Sequence, residues 1–88
     1  MGEKPKHPKN VAGYEDSFEM LAWTIGNLSY DSLAKFIEEL AKDIQRQGEK
    51  DQERKRLKLS KKLLSAAKKL QEAKEEIAGA WKICEPFM

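Results

Sequence analysis

The sequence predicts an all-α protein, an antiparallel helical hairpin or three-helix bundle completed by dimerisation. Three observations carry this. Apolar residues recur every three to four positions through three successive stretches, no stretch alternates in the manner of a strand, and glycine or polar breaks fall between the stretches. At 88 residues the chain is short enough for one core only, placed over residues 13–88 behind a basic arm, residues 1–12, that carries Lys4, Pro5, Lys6, His7, Pro8 and Lys9 without apolar periodicity.

Helix 1 is predicted over residues 14–27. Tyr14, Phe18, Leu21, Ala22 and Ile25 share one face, continued by Leu28, and Glu15, Asp16 and Glu19 crowd the end where the helix dipole favours acids. Gly26 and Asn27 weaken it and tolerate a left-handed turn. Helix 2 follows over residues 31–48, with Ser29 or Asp31 available as a cap. It turns Leu33, Phe36, Ile37, Leu40 and Ile44 inward and Lys35, Glu38, Glu39, Lys42 and Arg46 outward. The stretch Gln47-Gly48-Glu49-Lys50-Asp51 lacks apolar residues and offers a glycine suited to a helix C-terminus, so the turn is expected there. Helix 3 is predicted over residues 52–83 on the spacing of Leu59, Leu63, Ala66, Ala67, Leu70, Ala73, Ile77, Ala78 and Trp81, with Pro86 ending it.

A turn near Gly48 to Asp51 sets opposite each other residues whose numbers sum to about 99, which pairs Leu40 with Leu59 and Leu33 with Ala66 or Ala67. Helix 1 then either continues helix 2 as one kinked arm, placing Leu21 by Ile77 and Phe18 by Trp81, or folds back to make a compact bundle. A two-armed hairpin cannot cover both flanks of its own stripe, so it calls for a second copy; the compact bundle does not.

Some residues stand outside the core pattern. Met20 and Trp23 point away from Phe18, Leu21 and Ile25, and with Trp81 and Phe87 they form the expected contact surface for a second copy or another protein. The alternative for Met20 and Trp23 is packing against the amino-terminal arm or the turn of the same chain. The tail, with Ile83, Phe87 and Met88, is expected to fold back around Tyr14 and Phe18 or to dock on a partner. On helix 3, Arg54, Lys58, Lys61, Lys62, Lys68 and Lys69 share the face opposite the leucines, a stripe able to track phosphates and equally consistent with a solvated face. No aromatic residues interleave with it, which argues against reading of bases. Lys74 and Arg56 fall on the leucine stripe itself; Lys74, opposite Ile25 in this register, is expected to reach Glu19 or a carbonyl near Gly26 or to lie wet, and Arg56 to extend into water.

Residues 1–49 hold 6 Lys and Arg against 9 Asp and Glu, or −3, and residues 50–88 hold 11 against 6, or +5. Glu38, Glu39 and Asp43 are expected to offset the basic start of helix 3 across the hairpin. The single histidine, His7, and the single cysteine, Cys84, lie at opposite ends of the sequence, and neither a Glu-x-x-His pair nor a glycine-rich phosphate loop occurs. No enzyme activity, cofactor, metal or small-molecule substrate is therefore expected. A lone cysteine and the lack of a signal-type or membrane-length apolar segment point to the cytoplasm and away from membranes. The resulting expectation is a non-enzymatic interaction or adaptor module that self-associates. A nucleic-acid-binding protein using the stripe and the arm is the second, and a structural or inhibitory subunit of a larger assembly, a viral one included, the third.

Overall fold

The computed structural model describes residues 7–87, and its regular elements are all helical: α1 (Phe18–Gly26), α2 (Tyr30–Glu53), α3 (Leu57–Cys84) and a closing 3-10 turn (Glu85–Phe87). The arm expected over residues 1–12 lies partly outside the described residues, as does Met88.

Helix α1 begins four residues later than its apolar pattern suggests, because Ser17 stops the helix from starting sooner. Its backbone is extended and its Oγ accepts the Met20 N–H at 3.1 Å, satisfying a donor that has no partner within the helix. At the other end both the backbone N–H and the side-chain amide of Asn27 donate to the Trp23 carbonyl, at 3.1 and 2.6 Å. Ser29 does start α2, yet its hydroxyl donates to the Asp31 carboxylate at 2.5 Å and caps no backbone amide.

The turn is not at Gly48. Helix α2 runs on to Glu53 and closes at Arg54-Lys55-Arg56, where Lys55 N–H donates to the Gln52 carbonyl (3.0 Å) and Arg56 N–H to the Asp51 carbonyl (2.8 Å). These are the two bonds of a Schellman motif, and they force Lys55 to φ 62°, a place usually given to glycine. Arg56 stays at the turn, with its guanidinium 3.6 Å from the Asp51 carboxylate.

Gly48 has a different task. It lies inside α2, buried against α3, and a Cβ there would sit 2.8 Å from Leu64 Cδ2 and 3.3 Å from Leu63 Cβ. Above this close approach, the Ser60 hydroxyl donates to the Gly48 carbonyl at 2.8 Å in a buried bond. Every buried residue of the described chain belongs to the same seam: Ala34, Ala41 and Gly48 on α2, Ser60 and Ala67 on α3. Each set repeats every seven residues, the spacing that keeps one helix facing another along a shallow left-handed supercoil. Gly48 opposes Ser60 and Ala41 opposes Ala67, pairs whose numbers sum to 108, while Glu38 meets Lys74 at a sum of 112. The register thus lies some three helical turns beyond the sum of 99.

Small side chains let two backbones approach closely but bury little area, and among the described residues no large side chain is fully buried. The molecule is correspondingly flat and long, 53 × 30 × 14 Å with a radius of gyration of 16.0 Å. A compact chain of this length would have a radius near 12 Å. Helices α2 and α3, roughly 36 and 42 Å long, make the one extensive helix-to-helix contact. Helix α1 does not continue α2 along its axis. It leaves the Gly26 to Ser29 corner so that Phe18, Leu21, Ala22 and Ile25 look across an open notch at Leu33, Phe36 and Ile37, without packing down into a compact bundle. The tail does not fold back either: Ile83 and Phe87 are 74% and 87% exposed. Glu85 remains in helical geometry despite Pro86, so the chain leaves α3 through a tight turn.

Candidate interaction surface

Each residue advances about 100° around a helix. In an antiparallel pair, the positions one before and three after each seam residue therefore emerge on the same side of both helices. On α2 these are Leu33, Ile37, Leu40, Ile44, Gln47 and Asp51; on α3 they are Leu59, Leu63, Ala66, Leu70, Ala73 and Ile77. One broad side of the flat molecule is thus apolar from Leu33 to Ile44 on α2 and from Leu59 to Ile77 on α3, and turns polar at Gln47 and Asp51 beside the turn. Its side chains are half-covered or exposed, with Leu40 41% and Leu59 47% exposed, and Phe36 (43%) stands at its outer edge. The notch beneath α1 continues this face at the end away from the turn.

The other broad side is ionic. The Lys35 ammonium lies 3.1 Å from Glu38 and 3.5 Å from Glu39, and Lys42 lies 3.9 and 3.7 Å from the same two carboxylates. Lys74, on the seam, reaches across to Glu38 at 3.2 Å, not to Glu19 or the Gly26 corner, because the register carries it three turns away from Ile25. Hydrogen bonds from Lys35 and then Lys74 hold the Glu38 carboxyl below its ordinary value, and Glu38 in turn raises the Lys35 ammonium. Asp43 is likewise lowered, first by Arg46 and then by Gln47.

These acids are engaged by cations of their own helix and by Lys74. The cross-hairpin network expected to offset the basic start of α3 does not form. Arg54, Lys58, Lys61, Lys62, Lys68 and Lys69 are all exposed, and none joins an ion pair among the described residues. Arg54, expected on the third helix, lies instead in the turn that closes α2, because α3 begins only at Leu57. The five lysines run along the outer side of α3, where Lys58, Lys61, Lys62 and Ser65 border a shallow depression.

The four expected contact residues lie on α1, α3 and the closing turn. Met20 and Trp23 are exposed on the side of α1 turned away from the notch, Trp23 at 67%. Trp81 falls one heptad beyond Lys74 on the seam and is half-buried, while Phe87 projects from the closing turn. The broad leucine face lies on α2 and α3, apart from Met20 and Trp23 on α1. Its membership was implicit in the sequence periodicity, and what was missing was the seven-residue spacing of small residues that tells which part of the stripe is used within the chain.

Among the described residues no group of three or more His, Cys, Asp or Glu could hold a metal ion, and no helix is long and apolar enough to cross a membrane. No family model matches the chain, and no curated protein or solved structure matches it either.

Proposed function

We propose that this chain is a small non-enzymatic interaction module that self-associates through its apolar face. One observation supports the reading above the rest: a single layer of two helices buries only small residues and leaves a leucine-rich side uncovered. Stable domains stack two layers around a core, and a second hairpin laid on this face would supply the missing one as a four-helix bundle. The exposed area points the same way. It is 7630 Å², against roughly 5300 Å² for a compact monomer of this mass. Part of the excess belongs to the exposed residues before α1, and a stable partner would need to bury about 800 Å² on this side.

Light scattering on a sizing column tests this directly. The expected mass is twice that of the chain and insensitive to salt. Leu40→Glu or Leu59→Glu, each at a position half-open to water in the lone chain, should convert the dimer to monomer. A monomeric parent, or a dimer that withstands both substitutions, would overturn the reading. Trp23→Ala and Met20→Ala probe the separate α1 surface: loss of capture of another protein with the dimer intact would assign those residues to a heterologous partner.

The unpaired cations along α3 support a second reading, binding of a nucleic-acid backbone. Replacing Lys58, Lys61, Lys62 and Lys69 with Gln should then abolish retention on a duplex whose binding weakens steeply with salt. Retention unchanged by the four substitutions would remove it.

A further inference from the structure

Resting on the self-association reading, we infer that the two copies are antiparallel, related by a two-fold axis through the middle of the apolar face, so that the hairpin turn of each lies at the α1 end of the other. The argument comes from charge at the two ends. Residues 46–62, which form the turn end, hold eight cations (Arg46, Lys50, Arg54, Lys55, Arg56, Lys58, Lys61, Lys62) and three acids (Glu49, Asp51, Glu53), for a net +5. The opposite end joins residues 14–29, with three acids and no Lys or Arg, to residues 72–85, with four acids and two lysines, for a net −5.

The middles of these two groups lie about 30 Å apart along α3, several times the ~8 Å over which physiological salt screens charge. Each end therefore acts on whatever lies beside it and not on its own opposite. A parallel pair would set +5 against +5 and −5 against −5. An antiparallel pair sets +5 against −5 twice, and like charges placed together across an interface are strongly disfavoured. Arg46 is paired with Asp43 and Arg56 with Asp51, and the other six cations of the turn end join no ion pair among the described residues, which leaves them available for this.

The apolar features obey the same arrangement. The face runs along most of both helices, so it fits itself in either direction, but its two ends differ. One carries the notch of Phe18, Leu21, Ile25 and Leu33, and the other carries the exposed Leu59. Reversal of one copy brings each Leu59 toward the partner's notch. The contact is isologous and closes on itself, so a dimer is the end state and open-ended growth is not.

Spin labels measure the orientation. In a Cys84→Ser background, Glu53→Cys marks the turn end and Lys82→Cys the opposite end, both at exposed positions. Same-site distances in each dimer should be on the order of 40 Å, the length of α3. An equimolar mixture of the two variants should add a distance roughly half as long. Same-site distances under about 20 Å in a species of dimeric mass would overturn the antiparallel arrangement and leave self-association standing. A monomeric mass with no dipolar signal would remove both.

Discussion

Replacing two helical glycines with alanine should change stability in opposite directions, and the difference measures how closely α2 and α3 approach. Alanine is about 0.8 to 1.0 kcal/mol better than glycine inside a helix. At Gly79, within α3, a new Cβ meets nothing within 4 Å, so Gly79→Ala should realise that full gain. At Gly48 the same gain is opposed by the seam. The new Cβ falls 2.8 Å from Leu64 Cδ2, 3.0 Å from Leu64 Cγ and 3.3 Å from Leu63 Cβ. Leu64 can swing its methyl aside, but the Leu63 Cβ is fixed to the backbone, so the helices must part. Parting them also stretches the buried bond from Ser60 to the Gly48 carbonyl, now 2.8 Å. Overpacking of this kind costs about 1 to 3 kcal/mol, which leaves a net loss near 1 kcal/mol. For a domain of this size that is a shift of about 4 to 8 °C in Tm. Thermal denaturation followed by circular dichroism at one fixed chain concentration, needed because association adds to apparent stability, should show Gly79→Ala above the parent and Gly48→Ala below it. A Gly48→Ala protein as stable as Gly79→Ala would refute the close seam, and with it the pairing of Gly48 with Ser60.

Three further outcomes follow from the same geometry. Lys55→Gly should stabilise by about 0.5 to 1 kcal/mol, since a left-handed non-glycine residue costs roughly 1 to 2 kcal/mol and the added freedom of the unfolded glycine returns part of it; chemical denaturation reads the change, and a destabilised variant would contradict the Schellman turn. Ser60→Ala should cost up to about 1 kcal/mol, the net worth of a buried hydrogen bond less a small gain in helix propensity, and a stability equal to the parent in urea titration would mean the bond contributes nothing. Glu38, held below its ordinary value by Lys35 and Lys74, binds a proton less readily folded than unfolded, so its contribution is present above the ordinary carboxylate value and lost as pH falls through the lowered one. Melting temperature against pH should therefore lose part of its acid decline in Glu38→Gln, and an unaltered acid limb would show that the pair with Lys74 does not matter to stability.

How much of this the sequence disclosed can be judged from particular residues. The three helices follow from Phe18, Leu21 and Ile25, from Leu33, Ile37, Leu40 and Ile44, and from the long run starting at Leu59, because burial on one face imposes the helical period whatever the tertiary arrangement. The turn was misplaced because Gly48 stands among polar residues, where a glycine ordinarily ends a helix, and nothing local distinguishes that role from close packing against a neighbour. The register erred by about three turns for a related reason. An apolar stripe looks the same after any whole number of turns, so leucine still met leucine in the wrong pairing. Only the small residues at 34, 41 and 48 and at 60 and 67 break that degeneracy, through the two layers they form. The partner of Lys74 depended wholly on the register. The lysines of α3 and the exposure of Met20 and Trp23 were legible directly, because each depends on helix phase alone.

Helix α1 has a consequence for the order of events when two chains meet. Nine residues are fewer than the 12 to 15 that a helix needs to persist unaided in water, and this one lies across an open notch without an extensive contact to another helix among the described residues. Its backbone amides should therefore exchange with solvent far faster than those beside Ala41 and Ala67, whatever the overall stability of the hairpin. Covering the notch would tie the opening of α1 to the departure of the covering chain. Exchange at Leu21 and Ile25 should then slow as protein concentration rises while exchange along the seam changes much less, so the shortest helix of the molecule would serve as its gauge of occupancy.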